Sequence, residues 1–147
     1  MPGSILVVDD DPDFVDLVQT LLRDAYRVEG CTNSTFALQR LRQLNPVLVF
    51  LDLNMPEPNG WDLFRAIRNE SAFAQLPVLV VSAVGIEGES VEARLRREAP
   101  GPVDVLPKPF EIDDLVGKVN DLLGPETSSA ASAAINEDEN NRVGSTN

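Results

Sequence analysis

The stretch Val47–Gly60 reads Val-Leu-Val-Phe-Leu-Asp-Leu-Asn-Met-Pro-Glu-Pro-Asn-Gly, and it limits the architecture more than any other part of the chain. Five apolar residues, Val47–Leu51, run without alternation and stop at a carboxylate, Asp52. An unbroken apolar run this short fits a strand buried on both faces, as in a parallel sheet covered by helices. Pro56, Pro58 and Gly60 then force a loop. Asp52 therefore stands where a buried strand opens to solvent. In open parallel sheets that carboxyl edge is where ligands bind.

The same pattern recurs along the chain. Ile5–Val8 is a first apolar run ending in Asp9-Asp10-Asp11, with Pro12 suited to a first helical turn and Asp11 to its cap. Phe14, Leu17, Val18, Leu21 and Leu22 then recur at helical spacing to about Arg23. Tyr26–Cys31 alternates, the mark of an edge strand. Asn33 or Ser34 caps a helix carrying Phe36, Ala37, Leu38, Leu41 and Leu44, which Asn45-Pro46 stops. Past the central run, Trp61, Phe64 and Ile67 give helical spacing over Trp61–Asn69, where Trp61 reads as packing. Val78–Val81 is a fourth run, ending at Ser82-Ala83, and Val84–Gly88 reads as a flexible loop. A charged helix follows over about Glu89–Ala99, broken by Pro100-Gly101-Pro102. Val103–Leu106 is the fifth strand, then Pro107-Lys108-Pro109-Phe110, then a helix over about Glu111–Leu123.

Strands separated by helices of this length pair in parallel through right-handed crossovers. The expectation is an α/β fold: a doubly wound, flavodoxin-like five-stranded parallel sheet with helices on both faces, occupying residues 1–124. From Gly124 the composition turns to Ser, Ala, Glu and Asn without periodic apolar positions, so residues 125–147 read as a disordered tail. Glu137-Asp138-Glu139 within it reads as solvation rather than a binding motif.

Composition narrows the function. A formal net charge of −12 gives no basic footprint for nucleic acid or an anionic membrane. No apolar stretch approaches the length of a membrane span, and a lone cysteine, Cys31, forms no internal disulfide, so the expected compartment is the cytoplasm. The chain contains no histidine. That excludes Ser-His-Asp and Cys-His nucleophile pairs and imidazole zinc sites. A phosphohistidine, if one is involved, belongs to a partner.

The strand ends supply the chemistry. Asp9 and Asp10 follow strand one, Asp52 ends strand three, Ser82 follows strand four, and Lys108 lies past strand five. In a parallel sheet these ends share one edge. Carboxylates brought that close repel by several kcal/mol per pair at ~4 Å and an intermediate dielectric. Oxygen ligands without His or Cys then call for Mg²⁺ or Mn²⁺, with Lys108 as a second positive charge. A carboxylate in such a site can become an acyl phosphate. Ser82 can donate a hydrogen bond to the phosphoryl oxygen, and Asn54 can offer its backbone carbonyl to the metal.

These residues carry a family resemblance. Val-Val-Asp9-Asp10, Leu-Asp52-Leu-Asn54-Met-Pro56, Val-Val-Ser82-Ala83 and Leu-Pro-Lys108-Pro109-Phe110 together resemble the receiver domain of two-component response regulators, over about Ser4 to Leu123. The resemblance implies that Asp52 is the phosphoacceptor and that Asp9 and Asp10 are the acidic pair, with Asp10 favoured as direct Mg²⁺ ligand. It also makes Ser82 the switch hydroxyl, Lys108 the phosphate-binding lysine and Lys108-Pro109 a cis peptide. The implied donor is a phosphohistidine on a sensor histidine kinase or histidine phosphotransfer protein. The chain departs from the family at Val105, where an aromatic residue often stands three before the lysine, so the expected switch is movement of Ser82 with little aromatic relay.

With residues 125–147 read as a tail, no DNA-binding or catalytic output domain is expected in this sequence. The expectation is thus a stand-alone, non-enzymatic phosphoacceptor that assists its own phosphorylation and dephosphorylation. It would signal by contact with another protein or by phosphorelay, with phosphorylation-dependent dimerisation open. The competing reading is a Mg²⁺-dependent phosphohydrolase with an aspartyl intermediate, but Leu53-Asn54 lacks the second aspartate such enzymes place two residues past the nucleophile. A third reading, an interaction module that keeps the fold alone, leaves the acidic set unexplained.

Overall fold

The computed structural model describes residues 3–83 and 90–136. Five strands, β1 (Ser4–Val8), β2 (Arg27–Cys31), β3 (Leu48–Asp52), β4 (Val78–Ala83) and β5 (Val103–Lys108), form one sheet in the order β2-β1-β3-β4-β5. Every pairing is parallel. The crossovers carry helices α1 (Pro12–Leu22), α2 (Ala37–Leu44), α3 (Gly60–Asn69) and α4 (Val91–Glu98), and α5 (Ile112–Asn136) follows β5. The doubly wound reading holds, with the alternating strand β2 at an edge.

The continuous apolar strands are explained by their two covered faces. Leu6, Val8, Val49, Leu51, Val78 and Val80 pack with Leu41 of α2, Phe64 and Ile67 of α3 and Leu95 of α4. The intervening residues Ile5, Val7, Leu48, Phe50, Leu79 and Val81 pack with Val18 of α1 and Leu115 and Val119 of α5. Every residue of β3 is buried, Asp52 included. Burying each large side chain such as Phe50 or Phe64 contributes about 2–3 kcal/mol before entropy is counted.

Local signals set the helix starts. The side chain of Asp11 caps α1, accepting from the Asp13 N–H at 3.0 Å, with Pro12 as first residue. Asn33 caps a single 3₁₀ turn, Ser34–Phe36, that leads into α2. Asn59 accepts from the Asp62 N–H at the start of α3, and Ser90 accepts from the Ala93 N–H at the start of α4.

Two details differ from the sequence reading. β5 continues through Pro107 and Lys108, which pair with Ser82 and Ala83, so Lys108 ends the strand instead of following it. Proline is tolerated there because β5 is an edge strand whose outer side has no ladder to complete. Glu57–Pro58 is cis, which the sequence did not signal, whereas Lys108–Pro109 is cis as the resemblance implied. After a break at Gly124 (φ 80°, ψ 169°), the backbone is helical to Asn136. The loop expected over Val84–Gly88 and the last part of the tail lie outside the described residues.

Candidate functional site

Two strands deliver the acids. β1 ends at Val8, and Asp9 and Asp10 continue past it, while β3 ends on Asp52 itself. Val8 lies beside Leu51 in the parallel register, which sets Asp9 beside Asp52. One carboxylate oxygen from each of Asp9, Asp10 and Asp52 lies within 4.8 Å of the others. Asp9 is 1% exposed and Asp52 4%, whereas Asp10 is open to solvent.

Hydrogen bonding holds only part of this charge. Asp9 Oδ1 accepts from the Asp11 N–H and Asp52 Oδ1 from the Asn54 N–H, each at 2.9 Å. Asp9 Oδ2 is buried with no hydrogen-bond partner, and Lys108 Nζ stands 3.9 Å from it. Burial pushes the Asp9 carboxyl up to about 6, from an ordinary 3.8. The Asp11 N–H opposes that rise, the negative Asp52 adds to it, and Lys108 opposes it.

The remaining predicted residues border this cluster. Ser82 is buried on β4, one position past Val81, the residue that pairs with Asp52. Lys108 ends β5, and its Nζ lies 5.5 Å from the centroid of the Phe14 ring. Asn54 is exposed in the loop after β3. Val105, at the position where the resemblance suggested an aromatic, is half-buried and packs on the α2–α3–α4 side of the sheet.

Two contributors escaped the sequence reading. Gly60 was read only as a turn residue, yet a Cβ there would run into the Asp52 carbonyl oxygen and Leu53 Cα. α3 can therefore begin against the peptide of Asp52 only with glycine at this point. Phe14 was read as one of α1's core positions, but its ring also faces Lys108. Helical spacing identifies a buried ring without saying which polar group lies over it.

The donor set suits a hard divalent cation. All three clustered groups are carboxylates, and among the described residues the buried carboxylate oxygen without a hydrogen-bond partner, Asp9 Oδ2, belongs to them. An unpaired buried carboxylate oxygen is costly, and a cation with an oxygen preference, Mg²⁺ foremost, would satisfy it. Asp9, Asp10 and Asp52 thus fit a metal site on chemical grounds.

Comparison with known proteins adds the family. Residues 5–120 match the response regulator receiver domain. The chain belongs to that family. This receiver domain is 33% identical over 131 residues to response regulator Rre1 of Synechocystis, covering 88% of the chain and 55% of that protein. It is 36% identical over 122 residues to the transcriptional regulatory protein CpxR homolog of Haemophilus influenzae, covering 82% and 50%. A solved response regulator signal receiver domain from Bermanella marisrubri superposes with a TM-score of 0.66 at 31% identity, over 84% of this chain and all of the other. The receiver domain spans about half the length of the curated relatives it matches. Among the described residues, no helix is long and apolar enough to cross a membrane.

Proposed function

We propose that this receiver domain accepts a phosphoryl group on Asp52 from a phosphohistidine of a sensor histidine kinase or histidine phosphotransfer protein. The observation that carries the reading is the meeting of Asp9, Asp10 and Asp52 at one sheet edge, with Lys108 Nζ 3.9 Å from Asp9. An Asp52 carboxylate oxygen attacks phosphorus, the phosphorus–nitrogen bond breaks, and the imidazole leaves with the electron pair. The product is an acyl phosphate on Asp52. Lys108 brings an ammonium to the phosphoryl oxygens, and the Ser82 hydroxyl donates to one of them. Mg²⁺, held by Asp10, Asp52 and the Asn54 backbone carbonyl with Asp9 behind them, would neutralise charge on the transferring group. The domain is then a phosphoacceptor that assists its own phosphorylation and dephosphorylation, not an enzyme acting on a separate substrate. Its cytoplasmic signal passes by protein–protein contact, dimerisation or onward phosphotransfer, without direct contact to nucleic acid or membrane.

The test is incubation with acetyl phosphate and Mg²⁺, followed by intact-mass measurement. One added phosphate is expected on the wild type and none on Asp52→Ala. An unmodified wild type, or modification that persists in Asp52→Ala, would overturn the assignment. Multiple turnover of a phosphate ester would point to a phosphohydrolase instead.

A further inference from the structure

We infer that Phe14 is a positioning residue for Lys108, fixing its ammonium toward Asp9 at the acidic cluster. The inference rests on the proposed role of Lys108 in phosphoryl transfer, and its geometry can be read separately. Among the described residues Lys108 has one carboxylate within ion-pair range, Asp9, and at 3.9 Å that contact is longer than a hydrogen bond. Its side chain is 34% exposed, so a flexible ammonium there could swing into solvent. The Phe14 ring supplies the second constraint. Nζ lies 5.5 Å from its centroid, within the range where a cation is drawn to an aromatic face.

The ring is itself held by the two segments whose relation matters. Phe14 is buried on α1 and meets Phe50 edge-on at 6.0 Å between centroids and 61° between planes. Phe50 lies two residues before Asp52 on β3. Phe14 also meets Phe110 edge-on, at 5.8 Å and 80°. Phe110 lies two residues after Lys108, across Pro109. One ring therefore touches the phosphoacceptor strand, the segment that follows the lysine, and the lysine itself. A leucine of similar apolar character would fill much of the space without presenting a π face. Phe14 contributes by holding Lys108 in place, not by touching the phosphoryl group.

The experiment compares the full chain with Phe14→Leu and with pentafluorophenylalanine at position 14, which keeps the ring's shape and reverses the charge on its face. Two readouts are taken: the NMR order parameter of the Lys108 Cε in unphosphorylated protein, and the rate of Asp52 phosphorylation by acetyl phosphate with Mg²⁺. Both replacements are expected to lower the order parameter and slow phosphorylation about two- to fivefold, the scale of a partly exposed cation–π contact. In a Lys108→Ala background neither replacement should change the rate further. The melting temperature is read alongside, and a merely structural role for Phe14 would lower it while leaving Lys108 order unchanged. Unchanged Lys108 order in both variants, or a wild-type rate with the fluorinated ring, overturns the inference. If the wild type takes no phosphate, the functional proposal fails, and the order parameter alone still decides the part played by Phe14.

Discussion

At the carboxyl end of the strands, Asp9 is buried with one oxygen unpartnered and a lysine 3.9 Å away. At the amino end, Arg68 of α3 is also buried, but its guanidinium donates to the carbonyls of Phe73 at 3.0 Å, Leu76 at 2.7 Å and Pro102 at 2.7 Å. Those carbonyls lie just before β4 and β5, and the Pro100-Gly101-Pro102 turn closes over the arginine. Gly101 has a φ of 125°, and a side chain there would collide with Arg68 and the Ala74 carbonyl. One end sets three carbonyl dipoles against its buried charge, with only Arg68 Nε left unpartnered, and becomes a latch. The other leaves its charge under-compensated, which costs stability and keeps the site ready for a cation.

The largest expected effect lies at the latch. Arg68→Ala strips three carbonyls of their donor and should lower the unfolding free energy by about 3 kcal/mol, measured by urea denaturation. Phosphorylation of Asp52 in the protein that remains folded should stay near the wild-type rate; a collapse of that rate would erase the distinction between the two ends.

Asp9→Asn should act in the opposite direction. Its folded carboxyl titrates near 6 against an ordinary 3.8, so the fold disfavours the ionised form. Stability contributed by Asp9 is therefore greatest in acid and falls as pH rises through about 6. Removing the charge should raise stability by about 1–3 kcal/mol at pH 7.5 in the presence of a chelator, with the gain fading as pH falls from about 6 and gone by about 4. Adding Mg²⁺ should raise the wild-type melting temperature and narrow the difference. A chelated Asp9→Asn protein no more stable than wild type at pH 7.5 would show that the site end carries no such cost.

The flank between the two ends should matter least. Arg94 of α4 stacks over Trp61 at 3.9 Å and pairs with Glu98 at 3.2 Å, and Glu98 also binds Arg65 of α3 at 2.7 Å. Arg94 is partly exposed, so Arg94→Ala should cost only about 0.5–1 kcal/mol. Trp61 fluorescence should report the loss of the stack directly, since it is the only tryptophan in the chain.

The site end was more legible in the sequence than the latch. Each candidate acid ends an apolar run, and a parallel sheet brings such ends to one edge, so Asp9, Asp10 and Asp52 could be grouped without coordinates. Lys108 was placed past its strand because Pro107 hides the continuation of β5 in any propensity reading. Arg68 gave no signal at all. Its partners are backbone carbonyls, which every residue has, and the Pro-Gly-Pro turn shows a break without showing what it encloses. Helical spacing likewise put Phe14 in the core but could not reveal the lysine over its face.

Pro107 has one further consequence, for how the molecule behaves in crowded solution. The outer side of β5 is an open edge, the kind of template on which a second chain can lay down a strand. With no N–H at Pro107 and none at Pro109, that template is interrupted where it would otherwise be most regular. The opposite edge, β2, carries Arg27 and Glu29, with Arg40 of α2 bonded to the glutamate. Both margins thus resist edge-to-edge polymerisation, leaving association to the helical faces and the loops.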